Sequence, residues 1–245
     1  MKKESNFKKF RYFLAELLIL IIGITASFAL NEFRVNKQEQ RQQKDLLKSF
    51  KANLVVDSTI LHQGIKQLEG QLKNAQKLLV NTPAEYSDST VVWVVSLLNY
   101  VPFSSNDITY QEMKSVGSTR IIGNDSLTAK IIGLYENGFE LVNTWTDIDS
   151  EHVRLKMISY VEEQFPFVLG FQYGRAAAST QREFLRAVQA DKFKHLIQFG
   201  ASYKASTKYS FEQVLEDIRE TLALIDEELA ISQKSSDPES TSRGL

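Results

Sequence analysis

YFLAELLILIIGITASFAL, Tyr12 to Leu30, stands directly behind the basic leader MKKESNFKKFR and carries Glu16 as its one charge. A helix that spans a bilayer needs ~20 mainly apolar residues, and this is the one stretch of the chain that supplies them. Reading it as a transmembrane helix divides the chain. A basic leader (1–11) and the span (12–30) are followed by a polar neck (31–45), a large remainder (46–232) and a short tail (233–245).

The neck, NEFRVNKQEQRQQK from Asn31 to Lys44, is almost wholly polar and made largely of good helix formers, so it extends the span into water. Leu47, Phe50, Leu54, Leu61, Ile65, Leu68, Leu72, Ala75 and Leu79 then recur at spacings of three and four, with a polar gap at Asp57 and Ser58. Such a seam belongs either to a homomeric coiled coil or to one helix of an intramolecular bundle. The helical segments that follow favour the bundle. Gly64 and Gly70 interrupt the seam and are sites for a bend, and Pro83 ends the helix.

Further along, Ser87 or Asp88 can cap VVWVVSLLNY, a short apolar helix that also reads as a buried strand. Thr109 and Glu112 have capping-box spacing. Asn124 or Asp125 can start a long helix that runs to Pro166. Helical pattern resumes at Thr180 and continues past an interruption near Gly200 to about Ile231. The tail after it has the composition of a disordered segment. The fold class expected is all-α: an N-terminal transmembrane helix continuing into an elongated extracytoplasmic helical bundle.

Lys2, Lys3, Lys8, Lys9 and Arg11 crowd the front of the span, against Arg34, Lys37, Arg41 and Lys44 behind it. The bias is modest and points to a cytoplasmic N-terminus, a single pass through the inner membrane and a periplasmic C-terminal domain. Ser27-Phe28-Ala29 offers the competing reading, a signal peptide cleaved after Ala29. The length of the apolar run favours an uncleaved anchor.

A net charge of −1 gives no general attraction to nucleic acid, and the absence of cysteine excludes disulfides, thiolate metal sites and cysteine nucleophiles. His62, His152 and His195 are scattered in sequence. Asp147, Asp149, Glu151 and His152 invite a metal reading, but a solvated acidic stretch of helix explains them better. Gly117-Ser118-Thr119-Arg120 lacks the glycine-lysine pattern of a phosphate loop. No catalytic, cofactor or metal residues are nominated, and no enzyme is expected.

Two surfaces remain as candidates. Glu16, Gly23 and Ser27 share one face of the span with Leu20 and Leu30, and Gly23 with Ser27 forms a small-xxx-small pair that lets helices approach. Glu16 can serve as an intramembrane acid or simply snorkel to the headgroups. Phe165, Phe167, Phe171 and Tyr173 form either an exposed partner patch or a buried closure of the bundle.

The residues Ala15-Glu16-Leu17, Gly23-Ile24 and Ala29-Leu30-Asn31, together with Thr109-Tyr110-Gln111-Glu112-Met113-Lys114-Ser115-Val116-Gly117 and the Asp125–Tyr135 stretch, carry a resemblance. The chain resembles a family of single-pass membrane proteins of Gram-negative bacteria catalogued as a domain of unknown function. It departs at the membrane exit, where Asn31-Glu32-Phe33 stands in place of the family's common Trp-Asn-Glu. The resemblance implies an anchored, mainly helical extracytoplasmic domain and supplies no activity. The expected function is a membrane-anchored interaction or scaffold module that meets the bilayer and a protein partner or a second copy. The alternative is a sensory ectodomain that binds a small ligand between helices and signals through a partner.

Overall fold

The computed structural model describes residues 3–80, 83–85, 87–115, 122–165 and 178–234. Among them the chain is all-α, with six helices and no strand. Helix α1 (Lys3–Val80) is unbroken and, at 1.5 Å per residue, ~117 Å long. It is followed by α2 (Asp88–Leu97), α3 (Ile108–Ser115), a composite α4 (125–164), α5 (Ala178–Gln189) and α6 (Asp191–Lys234).

The first part of α1 is long and apolar enough to cross a membrane by length and composition, and none of that apolar window is buried. Every residue from Glu16 to Gln42 is exposed; burial begins around Gln43, whose side-chain amide donates to the Ile122 carbonyl, and is complete at Leu47. Gly123 next to that contact has φ +65, a left-handed conformation that a side chain would strain.

Within the bundle α1 packs antiparallel along α6, with α2, α3 and α4 filling around them. The seam of α1 differs from the hydrophobic reading. Its buried positions are Leu47, Phe50, Leu54, Asp57, Leu61, Gly64, Leu68, Gln71, Ala75 and Leu78, an unbroken three-four alternation. Ile65, Leu72 and Leu79 flank it, half-buried, and polar or small residues stand in three layers one heptad apart, at Asp57, Gly64 and Gln71. Gly64 is required there: a Cβ would lie 2.6 Å from the Phe211 ring and 3.0 Å from Val101. No break in α1 occurs at Gly64 or Gly70, because tight packing on α6 holds the first and helical neighbours carry the second.

α6 mirrors this pattern with Phe193, Ile197, Gly200, Lys204, Thr207, Phe211, Val214, Ile218, Thr221 and Ile225. It runs straight through Gly200, and the interruption falls instead at Ala190, between α5 and α6. Two faces with three-four spacing, that of α6 also burying Ser210, lie side by side as an antiparallel pair inside the bundle.

α4 solves a different problem. Its buried stripe reads Leu127, Ile131, Leu134, then Tyr135, Phe139, Val142, Thr146, Asp149, then Ser150, Val153, Met157, Tyr160. The stripe skips one residue at 134/135 and again at 149/150. π turns at Leu134–Gly138 and Val153–Met157 absorb the extra residues, each closed by an i+5 bond: Phe139 N–H to Leu134 O and Ile158 N–H to Val153 O.

The helix starts follow side-chain caps. The Ser87 hydroxyl accepts from Thr90 N–H and the Asn124 side chain from Leu127 N–H. Residues 88–97 are helical, as the capped reading expects, and not a strand. Thr109 is not a cap: α3 begins one residue earlier after Asp107, and Thr109 is buried, its hydroxyl accepting from Asn53 Nδ2 at 2.8 Å.

The core has two hydrophobic clusters. One is centred on Phe50, Tyr110, Tyr135, Phe139 and Phe211, nearer the span; the other, at the far end, on Leu78, Tyr160, Phe165, Phe184 and Phe193.

Candidate functional site

The bundle carries two buried polar nodes, one adjoining each π turn of α4. At the far node, Lys204 on α6 is 2% and Asp149 on α4 1% exposed. The ammonium donates to Asp149 Oδ1 at 3.1 Å, to Oδ2 at 2.9 Å and to the Asn99 carbonyl at 2.8 Å. That uses all three of its protons. The same Asn99 carbonyl accepts from Gln71 Nε2 on α1 at 3.2 Å. One node thus ties α1, the end of α2, α4 and α6. Burial pushes the Asp149 carboxyl up and the Lys204 ammonium down, and their mutual attraction opposes it on both sides.

His152, on the next turn of α4, hydrogen-bonds the Leu196 carbonyl through Nε2 at 2.9 Å and sets its ring edge on Tyr203. Burial first of all lowers its basicity. Between His152, Gly200, Lys204 and the apolar Leu97, Met157 and Ile197 lies a space of about 10 Å³, room for about one water. Gln71 Oε1 and Thr146 Oγ1 are buried without a partner. With every ammonium proton committed, the node holds helices in register and offers no free nucleophile.

The near node surrounds Asp57. Its Oδ1 accepts from Asn106 N–H at 2.9 Å, while Oδ2 is buried and unpartnered. Burial, with the negative Asp107 adding to it, pushes this carboxyl up to about 6, against the Asn106 bond that lowers it. Beside it, Tyr135 donates to the Asn106 carbonyl at 3.3 Å and stacks on Tyr110 with ring centres 4.6 Å apart. Tyr110 donates at 2.6 Å to Glu136, which also holds Lys114 at 2.8 Å. Those two bonds draw the exposed Glu136 below the usual carboxylate range.

The metal reading of Asp147, Asp149, Glu151 and His152 finds no cluster. Asp147 and Glu151 face solvent while Asp149 turns inward to Lys204, and among the described residues no three His, Asp or Glu converge. His62 and His195 are exposed, His62 bonded only within its own helix turn.

Glu16, Gly23 and Ser27 are exposed on α1. A Cβ at Gly23 would meet nothing within 4 Å, and the Ser27 hydroxyl donates to the Gly23 carbonyl at 2.9 Å. Of the aromatic set, Phe165 is buried against Tyr160, Phe184 and Phe193, its ring centre 5.0 Å from that of Phe193. Phe167, Phe171 and Tyr173 lie outside the described residues, as do Gly117 to Arg120 and the tail from 235 onward.

Hydrophobic spacing alone does not single out Asp57, Gln71 or Lys204, and sequence weighs Asp149 only as a metal ligand, not as the partner of a buried lysine. Their signal was periodicity: Asp57, Gly64 and Gln71 stand seven apart on the α1 seam, and Lys204 falls on the α6 seam. No family model, no curated protein and no solved structure matches the chain.

Proposed function

We propose that the chain is a membrane-anchored helical interaction module. In this reading residues 12–30 hold it in the inner membrane, the leader lies in the cytoplasm, and the bundle stands in the periplasm, where it meets a protein partner or a second copy. The module acts by binding and not by catalysis, and it belongs with the resembled family of anchored helical domains. The observation that carries the reading is the continuity of α1: one helix passes from an apolar stretch with no buried residue into the centre of the bundle. A displacement at either end is therefore carried to the other without a flexible joint. The space beside Lys204, about 10 Å³, supports a module over a receptor for a small ligand at that node.

The chain has no cysteine, so single cysteines report cleanly. In intact cells Gln76→Cys should react with a membrane-impermeant maleimide, and Ser5→Cys only after permeabilisation. The reverse pattern removes the orientation. Photoreactive residues at the exposed positions Gln76, Leu155 and Phe199 should then yield a reproducible protein adduct in membranes, and its absence at all three removes the interaction module.

A further inference from the structure

We propose that one face of α1 just beyond the apolar span is a docking stripe for an acidic helix of a partner membrane protein. Between Asn31 and Leu54 the basic residues are Arg34, Lys37, Arg41, Lys44, Lys48 and Lys51. Each follows the last by three or four positions, in strict alternation. At ~100° per residue all of them fall within roughly a third of the helix circumference. Glu32 and Glu39 fall on the opposite side; Asp45 alone shares the basic side, 4.0 Å from Lys48. Lys51 pairs with Asp226 across the bundle. Lys37 lies 6.0 Å over the Phe33 ring. Among the described residues no carboxylate pairs with Arg34, Lys37, Arg41 or Lys44, and the first three are exposed.

The stripe prolongs the face of the span that carries Glu16, Leu20, Gly23, Ser27 and Leu30, with Arg34 four residues after Leu30. Gly23 is open to close approach and the Ser27 hydroxyl is already bonded to its own helix. A helix seated there in the membrane would leave it facing the stripe.

Three occupants can be weighed by charge and reach. A parallel second copy would set each cation against its own counterpart, and like charges juxtaposed across an interface repel. Anionic headgroups form a layer only ~5–7 Å deep on each side of the hydrocarbon. The stripe extends ~25 Å along the helix axis, so headgroups reach Arg34 and Lys37 and leave Lys44 to Lys51 clear. A helix with Asp or Glu at the same three-four spacing complements the stripe from Arg34 past the headgroups to Lys44 and Lys48, while Lys51 stays with Asp226.

This proposal rests on the reading of α1 as a membrane anchor, and the test separates the two. The full chain, in nanodiscs of phosphatidylcholine, is titrated with a fluorescent helical peptide bearing glutamates along one face at three-four spacing. A peptide of the same composition with its glutamates spread round the helix is the comparator. The striped peptide should bind roughly tenfold tighter, as expected of several exposed ion pairs acting together, and less tightly as salt rises. The triple variant Arg34→Glu/Arg41→Glu/Lys44→Glu should lose that preference while its bundle melts at the parental temperature. Equal binding of the two peptides, or an undiminished preference in the variant, overturns the stripe. So does phosphatidylglycerol in the nanodisc protecting Lys44 and Lys48 from acylation as fully as Lys37, which would make it a lipid contact. Alkaline carbonate extraction from cell membranes tests the anchor separately: release of the chain overturns the membrane partner whatever the peptides do.

Discussion

Asp57 is a carboxyl on the seam of α1 with one oxygen bonded and the other buried without a partner. Its folded-state pKa of about 6 lies above the ordinary 3.8, so between those values the folded chain holds a proton that the unfolded chain has released. Stability therefore falls as pH rises from about 4 to about 6 and is flat beyond. The difference corresponds to about 3 kcal/mol at most. Asp57→Asn keeps an oxygen for the Asn106 N–H and removes the charge. Denaturant unfolding should find this variant more stable than the parent by about 1–3 kcal/mol at pH 7.5, with the gap closing by pH 4. A gap that does not change with pH would contradict the buried charge as its cause. Lys204 and Asp149 make the opposite case, since each stabilises the other's charge. Lys204→Met strands a buried carboxylate and should cost about 3–5 kcal/mol, whereas Lys204→Met with Asp149→Leu should recover most of that loss. The Asn99 carbonyl keeps Gln71 as donor in both. A double variant no more stable than the single one would assign the pair a role beyond mutual neutralisation.

Among the helices, the sequence makes type and order plain and hides register. The apolar run at 12–30, the long helix to Val80, the Ser87 and Asn124 starts and the long helix beyond 125 can all be read from caps, prolines and apolar spacing. The seam of α1 cannot be followed by hydrophobicity alone, because it passes through Asp57, Gly64 and Gln71 while Ile65, Leu72 and Leu79 stand beside it. Those polar layers are satisfied, in part, by Asn106 and Asn99 on the connections around α2, partners that no local spacing reveals. The π turns of α4 leave a clearer trace: a three-four stripe that gains one residue at 134/135 and at 149/150 is the mark of an inserted i+5 turn. Gly64 and Gly70, equivalent on a propensity scale, are opposite in the fold, Gly64 on the buried seam and Gly70 exposed beside it. Gly70→Ala adds a Cβ that meets nothing within 4 Å and should stabilise by up to about 1 kcal/mol. Gly64→Ala drives a Cβ into Phe211 and Val101 and should destabilise by about 1–3 kcal/mol. Thermal melts of the two variants moving in the same direction would contradict that reading of the seam.

At the scale of the whole molecule, one helix, α1, is bare along its first half and central to the bundle along its second. From Glu16 to Gln42 every residue is exposed, and from Leu47 onward the same helix supplies the central seam of the bundle. Among the described residues nothing packs on the apolar run, so within them that run contributes no buried area to folding; its apolar surface calls for lipid or a partner. The first cross-helix bonds, from Gln43 to Ile122 and Glu228, mark where the bundle starts. A chain lacking residues 1–35 should therefore fold in water with a thermal midpoint within about 2 °C of the full chain in detergent, a shift that corresponds to no more than about 1 kcal/mol in a domain of this size. It should also stay helical and monodisperse, having lost the exposed apolar run from Leu14 to Val35. A truncated chain that melts far lower would mean that the span helps to hold the bundle together, for instance through an assembly in which several spans associate. The rigid continuity of α1 would then join copies of this chain, and not the membrane to a separate partner.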